Sequence, residues 1–134
     1  MTTYVDASAL MKRYVDEPDS ALAERWLQAD TVLVTSWITL VEVRRNLARL
    51  LRGASLSAAR AQLDRDLELF ALMSVDEVVC RAAADVGEVL GVRSLDAIHL
   101  ASARRLHVTG LVFLTFDLRQ AQAARSMGFT VVGV

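Results

Sequence analysis

One cysteine, one proline and one lysine occur among 134 residues, and each scarcity removes a class of explanation. A lone thiol, Cys80, cannot form an internal disulfide, so a cross-linked scaffold of the secreted kind is not expected. With His99 and His107 the only histidines, a Cys/His zinc site is short of ligands. The chain is 54% hydrophobic, yet its apolar runs fall well short of the roughly 20 residues a membrane span requires. No basic stretch leading into an apolar core opens it, so no signal peptide is expected. These absences suit a reducing cytoplasm with no membrane partner. Cys80, within helix-like sequence, is expected to behave as a small buried hydrophobe.

An excess of charge of one sign is also missing. The net charge of −1 lacks the basic surplus usual in nucleic-acid-binding domains. Its cations, however, are 14 arginines and the single Lys12. Arginine is the better fork for phosphate, so the overall balance excludes nothing by itself.

What the sequence does have is alternation. Residues 2–6 read as a strand and 7–16 as a helix, broken at Asp16-Glu17-Pro18-Asp19. Asp19 or Ser20 caps a helix over 20–29, and TVLVTS (31–36) is a short β-branched run. WITLVEVRRNLARLLRG is helical, with Leu40, Val43, Leu47 and Leu51 as its stripe and Gly53 as its end. A second amphipathic helix spans 55–73, and a brief extended piece falls near 72–75. Then come a helix from an Asp76 cap to Gly91, one at 94–107 capped by Ser94, the apolar strand LVFLTF (111–116), a helix ending at Gly128, and the strand FTVVGV. LVFLTF is the most apolar strand and fits a central position covered on both faces. Strands alternating with helices predict a parallel sheet covered on both faces, a three-layer α/β domain over 1–134. The helical hairpin at about 37–73 exceeds what a minimal fold of this kind needs and is a candidate for partner contacts. Trp26 and Trp37 lie near apolar stripes and are expected in the core.

Three aspartates share one kind of position. Asp6 ends the first strand, Asp117 ends LVFLTF, and Asp96 lies in the first turn of the helix begun by Ser94. Singly, each reads as a helix cap or dipole residue. Together they fall on the edge where strand carboxyl ends meet helix N-termini, the ligand-binding edge of an open parallel sheet. Carboxylates converging there repel unless a cation lies between them, and hard oxygen donors without Cys or His suit Mg²⁺ or Mn²⁺. Glu42 differs: on the helical wheel it lies opposite the apolar stripe beside Arg45, Asn46 and Arg49, and reads as part of a solvated face. His99, three residues after Asp96, reads as a packed histidine with nothing at ligand spacing.

YVDASALMKRY, the acidic TLVEVRRN helix, RSLDAIHLASA and FLTFD, in this order, resemble the PIN-domain nucleases, most closely the small VapC-type toxins of bacterial toxin–antitoxin pairs. DAIHLASA and TFD are the more specific parts, and the resemblance covers essentially the whole chain. It implies five parallel strands, a homodimer, a VapB-type antitoxin wrapping the hairpin, and endonucleolytic cleavage of RNA, with tRNA or rRNA loops as the usual targets. Position by position, it implies catalytic roles for Asp6, Glu42, Asp96 and Asp117, with Asp6, Asp96 and Asp117 on the metal. Ser8 and Thr115 match the hydroxyls that support the first carboxylate. The chemistry expected is Mg²⁺-assisted hydrolysis of a phosphodiester, with Mn²⁺ able to substitute. Arg45 and Arg49, beside Glu42, are candidates for contacts to the RNA backbone. A phospho-acceptor receiver domain would want an acidic pair after the first strand and a lysine near the last, and this chain has neither. A haloacid-dehalogenase-type phosphatase would want Asp where Ser8 stands. A non-catalytic RNA- or partner-binding PIN-like module remains as the alternative.

Overall fold

Successive side chains of a strand point to opposite faces of its sheet, and in two strands of this chain both directions are apolar. Tyr4 and Phe113 enter one apolar cluster, while their neighbours Val5 and Leu114 enter another. A strand buried on both faces must lie inside a sheet covered by helices on both sides. The computed structural model describes residues 1–29 and 32–134 and has this architecture.

The elements are β1 (Thr2–Val5), α1 (Ala7–Met11), α2 (Ser20–Gln28), β2 (Val32–Ser36), α3 (Ile38–Leu50), α4 (Gly53–Leu67), β3 (Ala71–Met73), α5 (Glu77–Leu90), α6 (Ser94–Arg105), β4 (Val112–Thr115), α7 (Leu118–Ser126) and β5 (Thr130–Gly133). Thr31, the expected first residue of the second strand, lies outside the described residues. The five strands pair in the order β3-β2-β1-β4-β5, every neighbouring pair parallel. Val79, Ala83 and Val86 of α5, Ala97 and Leu100 of α6, and Ala123 and Ala124 of α7 cover one face. Leu10 of α1, Leu27 of α2, Val43 and Leu47 of α3, and Leu63 and Leu67 of α4 cover the other. The three-layer, five-stranded parallel architecture expected from the sequence is therefore present.

Topology decides where a ligand can enter. From β1 the chain moves outward through β2 to β3, then returns to the other side of β1 to add β4 and β5. The order reverses between β1 and β4, and such a reversal leaves a crevice at the strand carboxyl ends. The strand LVFLTF is fully buried as β4, but it stands one place off centre, and β1 holds the middle.

Several boundaries differ from the sequence reading, each for a local reason. The first helix stops at Met11, and the next residues turn toward Pro18, where a helix cannot continue. The helix expected over 55–73 ends at Leu67, because Ala71–Met73 pair with Val34–Ser36 as β3; an apolar run fits either period until a partner strand selects one. Gly53 opens α4 at φ +56° instead of closing α3. Arg93 occupies the cap position of α6, and Ser94 is its first residue. Cys80 is exposed, since Val79, Ala83 and Val86 form the inward stripe of α5. Trp37 precedes the first turn of α3 and is 47% exposed, whereas Trp26 packs beside the α1–α4 cluster.

One glycine conditions the crevice. Gly133 pairs with Thr115 across β4–β5, has φ +108°, and a Cβ there would stand 2.1 Å from the Thr115 carbonyl oxygen. Gly133→Ala is expected to cost more than about 2 kcal/mol in chemical denaturation, since a backbone clash adds to the left-handed penalty. Gly110→Ala, at φ +75° with open space around it, should cost only about 1 kcal/mol. Equal costs would show that the Thr115 contact is not a constraint.

Candidate active site

Asp6 follows β1 at the cap position of α1, and its carbonyl accepts from the Ala9 and Leu10 amides. Its side chain makes no capping bond. Instead Oδ2 accepts from Ser8 Oγ at 2.9 Å and from Thr115 Oγ1 at 2.7 Å, in a buried position. Ser8 Oγ in turn accepts from the Phe116 amide at 3.0 Å, and Thr115 Oγ1 from the Asp117 amide at 3.1 Å. Two hydroxyls therefore tie the end of β1 to the end of β4 and hold one oxygen of a buried carboxylate. Buried charges persist when hydrogen-bonded in this way.

Asp117 does cap its helix, accepting from the Gln120 amide at 2.9 Å. Asp96 stands in the first turn of α6, as the sequence suggested. Desolvation, then the charge of Asp6, pushes its carboxyl above the ordinary carboxylate range; Arg93 opposes this and Asp117 adds to it. Arg93 Nε lies 3.4 Å from Asp96 Oδ2, and its Nη2 lies 3.9 Å from Asp117 Oδ2. Gln120 Nε2 donates to the Asp96 carbonyl at 3.1 Å, locking the start of α6 to α7. Beside Arg93 and Asp96 opens a cavity of about 440 Å³, lined also by Arg119 and Gln122.

Glu42 is not on a merely solvated face. With Val43 and Leu47 packed inward, the neighbouring arc of α3 passes over the carboxyl edge of the sheet, and Glu42 Oε1 meets His99 Nε2 at 2.6 Å. The partners are 57 residues apart, so no local spacing announces the pair. His99 is fully buried; its Nδ1 lies 2.8 Å from the Tyr4 hydroxyl and its Nε2 lies 3.6 Å from Asp6 Oδ1. The expectation of a packed histidine holds for its burial, but its partners were missed. Burial alone would lower the His99 pKa; the Glu42 hydrogen bond and the charges of Asp6, Glu42 and Asp96 outweigh it and hold it above the ordinary value. For Tyr4, burial and then the Asp6 charge push the phenol well above its ordinary range, so it keeps its proton. Arg45 and Arg49 are exposed on α3. Arg93 and Arg119 line the same cavity as Asp96 and were not singled out from sequence, because surface arginines are common in this chain.

Among the described residues no three His, Cys, Asp or Glu side chains already stand close enough to enclose a metal ion. Asp6, Asp96 and Asp117 line one edge without forming a closed cage. This donor set nonetheless fits Mg²⁺ or Mn²⁺. The oxygens are hard, the Asp96 carboxyl is raised by desolvation and then by like charge, and a guanidinium already lies between Asp96 and Asp117. Mg²⁺ usually keeps several waters and takes only one or two carboxylates directly, so an open edge suits it better than a cage.

Comparison with known proteins places the chain in a family. The PIN domain family model matches residues 3–126. The chain is similar to Ribonuclease VapC46 of Mycobacterium tuberculosis, 37% identical over 129 residues that cover 96% of this chain and 95% of that protein. Its fold is similar to that in a toxin–antitoxin complex from Klebsiella pneumoniae, with a TM-score of 0.74 at 17% identity, covering 98% of this chain and 96% of that one. It is similar also to the sarcin-ricin-loop-cleaving toxin VapC20 of Mycobacterium tuberculosis, with a TM-score of 0.73 at 21% identity, covering 98% and 99%.

If like charge strains this edge, removing one charge relieves it. Asp96→Asn is expected to raise the melting temperature in EDTA by a few degrees, and to diminish any stabilisation produced by Mg²⁺. A melting temperature that falls in EDTA would mean that Arg93 already neutralises the edge.

Proposed function

Because the chain belongs to the PIN-domain family, among the VapC ribonucleases, we propose that it is a Mg²⁺-dependent endoribonuclease toxin of a toxin–antitoxin pair. The observation that carries this reading is the gathering of Asp6, Asp96 and Asp117, with Glu42 reaching in from α3, on the sheet edge where the strand order reverses. Asp6, Asp96 and Asp117 would hold the metal, directly or through water, and Glu42 would complete the catalytic set. Ser8 and Thr115 support Asp6. The substrate is RNA, with tRNA or rRNA the proposed class, and its hydrolysis blocks translation and growth. The chain acts as one PIN-like unit over 1–134, pairs as a homodimer in the cytoplasm, and is restrained by a VapB-type antitoxin. Among the described residues no helix is long and apolar enough to cross a membrane.

When bound, a divalent cation would supply a water of lowered pKa and would offset charge on the scissile phosphate. The chain's own groups do the rest. With Oδ2 of Asp6 occupied by two hydroxyls, Oδ1, 3.6 Å from His99 Nε2, would be the oxygen available to a cation. Glu42, joined to His99 through Oε1, has its second oxygen available to orient the attacking water or take its proton. The acids repel RNA, so phosphate contacts fall to arginines: Arg45 and Arg49 on α3, with Arg93 and Arg119 beside the cavity.

Purified protein incubated with total RNA and Mg²⁺ is expected to cleave it, and EDTA to abolish cleavage. Loss of a group that only orients a metal ligand costs about 10–100-fold, so Asp6→Asn or Asp96→Asn should cost at least about a hundredfold and relieve growth inhibition. Cleavage that persists in EDTA would sink the metal assignment. Growth inhibition that survives both substitutions would favour a binding module instead. Arg45→Ala combined with Arg49→Ala should raise KM and flatten the salt dependence while leaving kcat nearly unchanged; an unchanged KM would remove α3 from the RNA path.

A further inference from the structure

We infer that Tyr4 and His99 are positioning residues that hold Glu42 over the acidic edge and act on RNA cleavage chiefly through it, an inference that rests on the ribonuclease reading above. His99 Nε2 also lies 3.6 Å from Asp6 Oδ1. The two ends of this connection belong to different layers. Val43 and Leu47 anchor α3 in the cluster on one face of the sheet, whereas Ala97 and Leu100 anchor α6 in the cluster on the other. Glu42 and His99 therefore meet across the carboxyl edge, and only an element passing over that edge can bring a carboxylate there from α3.

A glutamate on a helix surface has three side-chain torsions free to rotate. Glu42 is restrained because the group it meets cannot move. His99 is fully buried, and both ring nitrogens are engaged, Nε2 by Glu42 at 2.6 Å and Nδ1 by Tyr4 at 2.8 Å. Tyr4 is fully buried in turn, stacked on Phe113 with ring centroids 5.3 Å apart and set edge-on to His99 at 5.8 Å. Rigidity thus runs from the aromatic core through a phenol and an imidazole to one carboxylate oxygen. With the Tyr4 O–H donating to Nδ1, the ring hydrogen sits on Nε2 and points at Glu42 Oε1; an imidazolium would place a hydrogen there as well. In either state a hydrogen on Nε2 faces Glu42 Oε1, so that one oxygen is fixed and the other is free for chemistry.

A histidine that merely filled space would be replaceable by leucine at no catalytic cost, so kinetics and epistasis separate the two roles. His99→Leu is expected to lower kcat about 30–100-fold with KM changed less than about threefold, the cost typical of a lost outer-shell orienting group. His99→Gln, which restores an N–H near the Nε2 position, should recover most of that loss, and Tyr4→Phe should lose less than His99→Leu. In a Glu42→Gln background His99→Leu should cost almost nothing more, since both act as one unit. The readout independent of activity is the ¹H–¹⁵N NMR signal of the His99 ring: a slowly exchanging, downfield Nε2-bound proton that shifts or broadens away in Glu42→Gln. Full multiplicative losses in the double variant, or an Nε2 proton indifferent to Glu42, would overturn the inference. Should His99→Leu fail to fold, Tyr4→Phe kinetics and the NMR signal still decide it. A wild-type protein that cleaves no RNA would defeat the ribonuclease reading, while the NMR experiment would still show whether His99 holds Glu42.

Discussion

Carboxylates collected at one edge of a parallel sheet repel each other, and in a half-buried setting that repulsion is poorly screened. The Asp96 carboxyl carries the sign of this, raised by desolvation and by the charges of Asp6 and Asp117. The surrounding structure counters it group by group. Ser8 and Thr115 donate to Asp6, the Gln120 amide donates to Asp117, and Arg93 lies between Asp96 and Asp117. On the proposed reading a divalent cation would offset the rest.

The sheet makes this crowding possible. Asp6 and Asp117 follow adjacent parallel strands, β1 and β4, so both lie at the carboxyl end of that pair, Asp6 directly after Val5 and Asp117 three residues beyond Leu114, the partner of Val5. Asp96 arrives on α6, and Glu42 comes from the opposite layer on α3. The site is therefore a product of the strand order. Because β1 and β4 are buried on both faces, their ends are anchored by the core, and the hydroxyl pair that joins them inherits that rigidity. Gly133 belongs to the same arrangement, since only a residue without a side chain can approach the Thr115 carbonyl from β5.

How much of this was legible in sequence depends on how local each signal is. Asp6, Asp96 and Asp117 sit at strand ends or in a helix first turn, boundaries that a switch of hydrophobic period reveals, so their common edge follows once the sheet is taken as parallel. Glu42 cannot be placed that way: its helical wheel shows a polar face, and the partner that turns this face inward lies 57 residues on, so family resemblance alone pointed to it. β3, at Ala71–Met73, overlaps the extended piece expected near 72–75; only its boundary with the preceding helix was blurred, because it continues an apolar run from α4. Cys80 and Trp37 were expected inside because their composition suits a core, yet the inward stripes of their helices are complete without them. Tyr4 shows the converse, a residue read only as part of a strand that also anchors a polar connection from the core to the site.

The account stands or falls on whether the acidic edge takes up a divalent cation. Adding Mn²⁺ to isotope-labelled protein and recording paramagnetic broadening tests this without RNA, antitoxin or activity. The account predicts selective loss of the resonances of Asp6, Asp96 and Asp117, reversed by excess Mg²⁺ and weakened in the Asp6→Asn variant. Broadening centred elsewhere, or none at millimolar Mn²⁺, would contradict it.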